Sequence, residues 1–425
     1  MTILIFIVSL IAAMAIGMPI AFALLMASMA LMISLDLFNA QILAQNLING
    51  ANSYPLLAVP FFLLAGELMN VGGLSRRIVD IAMCLIGHIR GGLGYVAIIA
   101  AVILASLSGS AIADTAALAA VLLPMMRKAG YDENRACGLI AAGGIIAPII
   151  PPSIGFIIFG VAGGVSITRL FMAGIVPGIL MGLGLFIAWW ILSRKENVQP
   201  GVKPSREKVV RTLGAGFWAL MLPVIIIGGL RFGIFTPTEA GVVAAVYSLF
   251  ISVAIYRSVG WAELKYCFIA AAKTTSIVMF MVSAAMVISW LITVAELPDQ
   301  IIDLLEPFMD NPTLLLCVIL LLVLVIGMAM DFVPIILILT PVLMPVIRAA
   351  EIDPVYFGVM FIMATSIGLI TPPVGTVLNT VAGVGKVKMD GVIIGVLPFI
   401  LTLVIVMLML ILFPQLVLAP ARWFS

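Results

Sequence analysis

The sequence predicts an all-α polytopic membrane protein made of two inverted-topology repeats, each with a re-entrant hairpin and a discontinuous helix. Three observations predict it. Of the 425 residues, 64% are hydrophobic and 9% are charged, where a soluble domain carries about 25% charged residues. Apolar runs of about 20 residues recur, enough to cross a hydrocarbon core of roughly 30 Å. Finally, the second half repeats the landmarks of the first at an offset of 221 positions (124 to 345). Pro124 falls on Pro345, Arg127 on Arg348, Asp132 on Asp353, Pro151-Pro152 on Pro372-Pro373, Gly174 on Gly395 and Pro177 on Pro398. A proline pair and five single landmarks at one constant spacing mark a duplication.

Each repeat opens with two helices, over 2–16 and 18–36, then 213–230 and 238–256, the first pair joined by a tight turn at Gly17-Met18-Pro19. Short amphipathic pieces follow near 40–50 and 260–272, then third spanning helices over 53–70 and 274–297. The latter contain the matched AGEL (65–68) and VAEL (294–297). Segments 92–128 and 313–348 carry polar centres, SLSGS at 106–110 and GMAMD at 327–331. Their arms are too short to cross twice, so they read as re-entrant hairpins. Next come 133–164 and 354–384, interrupted by IIAPIIPPSIG (145–155) and GLITPPVG (368–375). Interior proline costs about 3 kcal/mol or more in a helix, so these helices are broken. Last spanning helices cover 166–193 and 390–418. The chain therefore parses into a scaffold unit over residues 1–91, a transport unit over 92–193, a cytoplasmic linker over 194–212, a second scaffold unit over 213–312 and a second transport unit over 313–425.

Five crossings plus one returning hairpin per half make the second half inverted. With 194–211 placed in the cytoplasm, 17 of the 21 Lys and Arg fall on that side; only Arg169, Arg231, Arg348 and Arg422 lie outside. This satisfies the positive-inside rule and puts both termini in the periplasm, in the inner membrane. The stretch 296–310, ELPDQIIDLLEPFMD, reads as an external loop with acids and no base. The N-terminus lacks a basic leader region and reads as a first membrane helix rather than a cleaved signal. The net charge of +2 says nothing about nucleic acid, but no basic cluster alternates with aromatics, and no nucleic-acid partner is expected. Cys84, Cys137, Cys267 and Cys317 lack metal-ligand spacing and read as core residues.

Non-helical backbone at membrane depth survives only when buried in protein or lining a wet cavity. Freed carbonyls can hold a cation, and exposed helix N-termini an anion. Paired inverted repeats with broken helices follow a transporter pattern. The competing reading, a plain proline kink, leaves the matched polar hairpin centres unexplained. At those centres Ser106, Ser108 and Ser110 supply neutral oxygens, Asp114 lies one turn into the next arm, and Asp331 sits at the second tip. Hard cations take oxygen ligands, and charges inside membrane segments are functional by default. The alternative is that both aspartates only cap helices, worth about 1 kcal/mol. Ser153 at the first break and Thr365, Ser366, Thr371, Thr376 and Asn379 at the second add polar groups, unless they bond their own backbone. Glu67 and Glu296 end matched helices and read as interfacial. AGVGK (382–386) fails the phosphate-loop pattern, because Thr380 and Val387 stand where glycine and Ser/Thr belong. One histidine, His88, far from the hairpin tips, leaves no material for a protease or a metal enzyme.

SLSGSAIADTAALAAVLLPMM (106–126), GGIIAPIIPPSIGFIIFG (143–160), FTPTEAGVVAAVY (235–247) and GLITPPVGTVLN (368–379) resemble the large membrane subunit of tripartite ATP-independent periplasmic (TRAP) transporters, over essentially the whole chain. The resemblance implies an elevator-type symporter driven by sodium, with no other cofactor and no enzyme activity. It implies three partners: a separate small four-helix membrane subunit, a periplasmic substrate-binding protein, and an organic-anion substrate such as sialic acid, another sugar acid or a C4-dicarboxylate. It carries sodium roles onto Ser106, Ser108, Ser110, Asp114, Gly144, Pro148, Gly327, Asp331, Thr365 and Ser366, and substrate roles onto Ser108, Ser153, Thr371, Thr376 and Asn379. Two alternatives stay open: a stand-alone sodium/carboxylate symporter without a binding protein, and an anion channel.

Overall fold

The structure, a computed structural model, describes residues 2–194, 200–201 and 203–423. Among them no strand occurs. The first half holds α1 (Thr2–Ala15), α2 (Ile20–Ser34), α3 (Ala40–Ala51), α4 (Ala58–Val71, entered by a 3-10 turn at Tyr54–Leu57), α5 (Leu74–Ile86), α6 (Gly92–Ser108), α7 (Ala111–Lys128), α8 (Glu133–Gly144), α9 (Ile154–Gly163) and α10 (Ile167–Ser193). The second holds α11 (Arg206–Arg231), α12 (Pro237–Phe250, continued by a π turn at Ile251–Ile255), α13 (Trp261–Val294), α14 (Leu297–Met309), α15 (Pro312–Gly327), α16 (Phe332–Ala349), α17 (Pro354–Gly368), α18 (Thr376–Gly385), α19 (Met389–Leu412) and α20 (Gln415–Trp423). Seven described helical segments are long and apolar enough to cross a membrane.

Local chemistry explains the matched landmarks. Asp132 Oδ1 accepts from Arg135 N at 2.7 Å and starts α8. Its counterpart Asp353 accepts from Val355 N and Tyr356 N at 2.8 and 3.1 Å and starts α17. Side-chain caps of this kind stabilise a helix start by about 1 kcal/mol. Thr236 and Glu239 form a reciprocal capping box on α12.

Four boundaries differ from the sequence expectation. The amphipathic piece at 260–272 and the third spanning helix at 274–297 form one helix, α13, because AAAKTTS carries no breaker. In the first half the same junction holds Asn52-Ser53-Tyr54-Pro55, and the helix stops. Helix α11 starts at Arg206, inside the expected 194–212 linker, because Ser205 Oγ accepts from Lys208 N at 3.2 Å. Linker residues 195–199 and 202, among them Lys195, expected on the cytoplasmic side, lie outside the described residues, as do Met1, Phe424 and Ser425. The expected 296–310 loop is mostly the amphipathic helix α14, and α19 ends before Pro414 rather than at 418.

Two sets of helix contacts stand out. In one, α13 packs against α2, α3 and α4, and α12 against α4. In the other, α7 packs on α18, α16 on α9, α8 on α19 and α15 on α17. Membrane helices gain little from apolar burial alone, so close approach and polar contacts matter more. The second arm of each hairpin reaches across to the other half. Arg127 Nη2 on α7 donates to Gly385 O, at the end of α18, at 3.0 Å. Arg348 Nη2 on α16 donates to Gly163 O, at the end of α9, at 2.8 Å. Two matched arginines thus satisfy two matched helix C-termini, whose carbonyls lack helical partners and favour cations.

Candidate functional site

Two short turns and two helix breaks build the site. Helices α6 and α7 are joined by Gly109 and Ser110 alone. Gly109 has φ +62°, and a Cβ there would lie 2.7 Å from Pro152 O. Left-handed backbone and contact with the break between α8 and α9 both call for glycine. Ser110 Oγ accepts from Ala113 N at 3.4 Å and caps α7. Ser108 Oγ donates to Asp114 Oδ1 at 2.5 Å and accepts from Ser110 N at 3.1 Å. The hydroxyl thereby locks the turn to the carboxylate of the following helix.

Asp114 is only 2% exposed, and its Oδ2 has no hydrogen-bond partner. The Oγ1 of the next residue, Thr115, is also buried and unpartnered. Thr115 abuts Gly144, the last residue of α8, so closely that a Cβ at Gly144 would collide with Thr115 Oγ1. A buried polar atom left unpaired costs about 1–3 kcal/mol. Two such oxygens on consecutive residues, the second of them beside a helix C-terminus, are of the type a hard cation accepts.

Ser153 closes the first break: its Oγ donates to Pro148 O at 2.5 Å and accepts from Phe156 N at 3.3 Å, starting α9. At the second break, Gly327 of α15 and Gly368 of α17 touch backbone to backbone. Gly375 N donates to Met328 O at 3.4 Å, tying the break to the second tip. Asp331 is exposed and accepts from Phe332 N at 2.8 Å, capping α16. The Pro151–Pro152 and Pro372–Pro373 bonds are both cis.

The tips meet in one cavity of about 800 Å³. One wall carries Gly109–Ile112 at the start of α7, Ile154 at the start of α9 and Asp331–Pro334 at the start of α16, with Pro148 and Leu369 from the two breaks. The opposite wall is Pro19–Phe22 at the start of α2, Leu63 of α4, and residues of α13 between Thr274 and Met281. Four helix N-termini therefore border one mostly apolar space, and each carries partial positive charge.

Several expected site residues sit elsewhere. Among those assigned to sodium or substrate, only Ser110, Pro148 and Asp331 border the cavity. Ser106 Oγ donates to Ile103 O at 2.6 Å. Thr365, Ser366 and Thr371 donate to the carbonyl four residues earlier, at 2.9, 2.7 and 2.7 Å. Asn379 is exposed and donates to Val374 O at 3.0 Å. Thr376 Oγ1 is buried without a partner, at the start of α18. Sequence reasoning passed over Thr115, although it directly follows Asp114 in the hairpin motif. It also passed over the far wall, where Thr274 and Ser276 interrupt an otherwise apolar stretch of α13.

The profile described as "Tripartite ATP-independent periplasmic transporter, DctM component" matches residues 7–416. The chain is 57% identical over 425 residues to the 2,3-diketo-L-gulonate TRAP transporter large permease of Escherichia coli, covering 100% of both chains. It is 38% identical to the sialic acid TRAP transporter large permease of Vibrio cholerae, covering 94% of this chain and 93% of that one. It is 35% identical to the C4-dicarboxylate TRAP transporter large permease of Pseudomonas aeruginosa, covering 90% and 89%. The crystal structure of the Alcanivorax borkumensis YdaH transporter shares the fold, with TM-score 0.63 at 15% identity, over 87% of this chain and 86% of that one.

Proposed function

The chain belongs to the DctM component family of tripartite ATP-independent periplasmic transporters, which are permeases and not enzymes, and from that premise we propose that it takes up a sugar-derived acid on an inward sodium gradient across the inner membrane. The observation that carries this is the single cavity bordered by four helix N-termini and both hairpin tips. The partial positive ends suit a carboxylate, while the apolar wall suits the rest of a small molecule. The 57% relative, named for 2,3-diketo-L-gulonate, points to sugar acids before sialic acid or C4-dicarboxylates.

Sodium fits beside Asp114 and Thr115, whose Oδ2 and Oγ1 are buried and unpaired, with Thr115 against the end of α8. Ser108 holds the Asp114 carboxylate in place while leaving Oδ2 free. Asp331 at the second tip supplies the other negative charge near the cavity. Bound cations lower the desolvation cost of the substrate carboxylate, and substrate tightens sodium binding by the same factor. The two halves act as inverted repeats, a reading supported by the offset landmarks and by the paired Arg127 and Arg348 contacts. Hairpins and broken helices travel as one unit against α1–α4 and α11–α13, a reading supported by the cavity that both sets of helices border. A periplasmic binding protein delivers substrate, and a separate small membrane subunit completes the transporter. Both termini face the periplasm.

The test is uptake of labelled 2,3-diketo-L-gulonate, sialic acid and a C4-dicarboxylate into proteoliposomes holding this chain and its small subunit. Uptake should need both the sodium gradient and the binding protein. Sodium-dependent uptake without the binding protein would shift the reading to a stand-alone symporter. Flux that neither saturates nor responds to sodium would refute both.

A further inference from the structure

A second cavity, of about 760 Å³, lies far from the hairpin tips, between α5, α11 and the start of the described stretch of the linker. One face of α5 supplies Arg77, Asp80 and Cys84, spaced at helical turns. One face of α11 supplies Lys208, Arg211, Thr212 and Ala215. The two helices meet within this lining, where Cys84 Sγ lies 3.4 Å from Thr212 Oγ1. Met83 and Met125, with Cys84, give the cavity an apolar side.

Among the described residues, no carboxylate lies within ion-pair distance of Arg77, Lys208 or Arg211, and Asp80 is the one acid in the lining. Arg77 is held in place: its Nη1 donates to Gly72 O and Gly73 O at 3.2 and 3.0 Å, and its guanidinium lies 3.6 Å over the Tyr256 ring. Along α11 the charged end gives way to lipid-type surface. Trp218, two turns below Arg211 on the same flank, is 39% exposed, and Phe217 is 48% exposed. Charge at one end, an apolar wall in the middle and an exposed Trp below form the profile of a membrane boundary.

The geometry points to a binding site for the phosphate headgroup of an acidic phospholipid, held by Arg77, Lys208 and Arg211, with the acyl chains running down the α11 flank past Trp218. Basic pockets between membrane helices hold anionic headgroups in this way, at about 1 kcal/mol per basic residue. A free oxyanion would use the cations but not the apolar wall or the Trp flank. Met125 of α7 also lines this cavity, so the lipid would bridge α7 to the α5–α11 pair.

The test is native mass spectrometry of the detergent-solubilised full chain with its small subunit, titrated with phosphatidylglycerol, phosphatidylcholine or inorganic phosphate. Phosphatidylglycerol should bind more tightly than phosphatidylcholine. Removing both α11 cations, Lys208→Gln with Arg211→Gln, should weaken it roughly thirtyfold, about fivefold per charge. Both residues are exposed, so the fold should persist. Asp80→Asn should strengthen binding about fivefold by the same reasoning. Equal binding of the two lipids, or unchanged phosphatidylglycerol binding in the double variant, would overturn the site. Release of bound phosphatidylglycerol by millimolar phosphate would overturn the lipid and leave a soluble oxyanion in its place.

Discussion

Gly368→Ala tests how the second break positions the second tip. A Cβ at Gly368 would lie 2.7 Å from both Cα and C of Gly327 and 3.0 Å from Leu324 O. All three are backbone atoms, so no rotamer change relieves the overlap. Ordinary contact begins near 3.4 Å, so α15 and α17 would have to move apart by about 0.7 Å. Overpacking of this kind costs typically 1–3 kcal/mol. The displaced end of α15 leads directly into Met328–Asp331, and Met328 O accepts the Gly375 N–H that ties the tip to the break. If the strain falls on the ion-loaded state, the sodium concentration for half-maximal uptake rises about 5–150-fold. Gly327→Ala supplies the control. Its Cβ would meet Gly368 Cα at 3.2 Å and Thr365 O at 3.3 Å, a milder overlap, so its effect should be smaller. The assay is a sodium titration of uptake in proteoliposomes, with thermal stability followed by fluorescence-detected size exclusion. Wild-type sodium dependence and an unchanged midpoint in Gly368→Ala would refute the reasoning, as would a stronger effect in Gly327→Ala.

Ser108→Ala removes a hydrogen bond to a buried carboxylate, worth about 1.5–3 kcal/mol, so sodium affinity measured by uptake titration should fall roughly 10–150-fold; Asp114→Asn should abolish sodium dependence altogether, and normal sodium coupling in either variant would remove the hairpin assignment. Asp331→Asn should weaken sodium dependence with little change in thermal midpoint, because asparagine caps a helix as well as aspartate does; a collapse of stability without a sodium effect would reduce Asp331 to a cap. Arg348→Ala should slow uptake while Arg348→Lys restores some of it, since either cation can meet Gly163 O, whereas Arg127→Ala also loses Glu133, a pair exposed enough to add about 0–1 kcal/mol. Equal rates in Arg348→Ala and the wild type would show that the cross-half contact does not support transport.

The membrane class and the proline breaks were read in the chain, and the capping role of the matched Asp132 and Asp353 could have been, because each follows from local rules. Apolar run length is counted along the sequence. A Pro-Pro pair breaks a helix wherever it stands, and Asp132 and Asp353 cap the helices they precede through bonds to residues two or three positions away. The merging of two expected segments into α13 follows a local rule too, since AAAKTTS carries no breaker, but the analogy with the first half, where Asn52-Ser53-Tyr54-Pro55 stops the helix, hid it. The polar residues divide along the same line. Chemistry alone nominated Thr365, Ser366 and Thr371, yet their hydroxyls turn back onto their own helices, a choice made by rotamer and packing. Thr115 was passed over because its distinction, an unpartnered oxygen pressed against Gly144, exists only once α7 lies on α8. By itself the sequence determined that the helices break twice at matched places beside polar turns. Only tertiary packing decided that four helix N-termini and both tips border one cavity, because those groups lie far apart along the chain and nothing local fixes their distance.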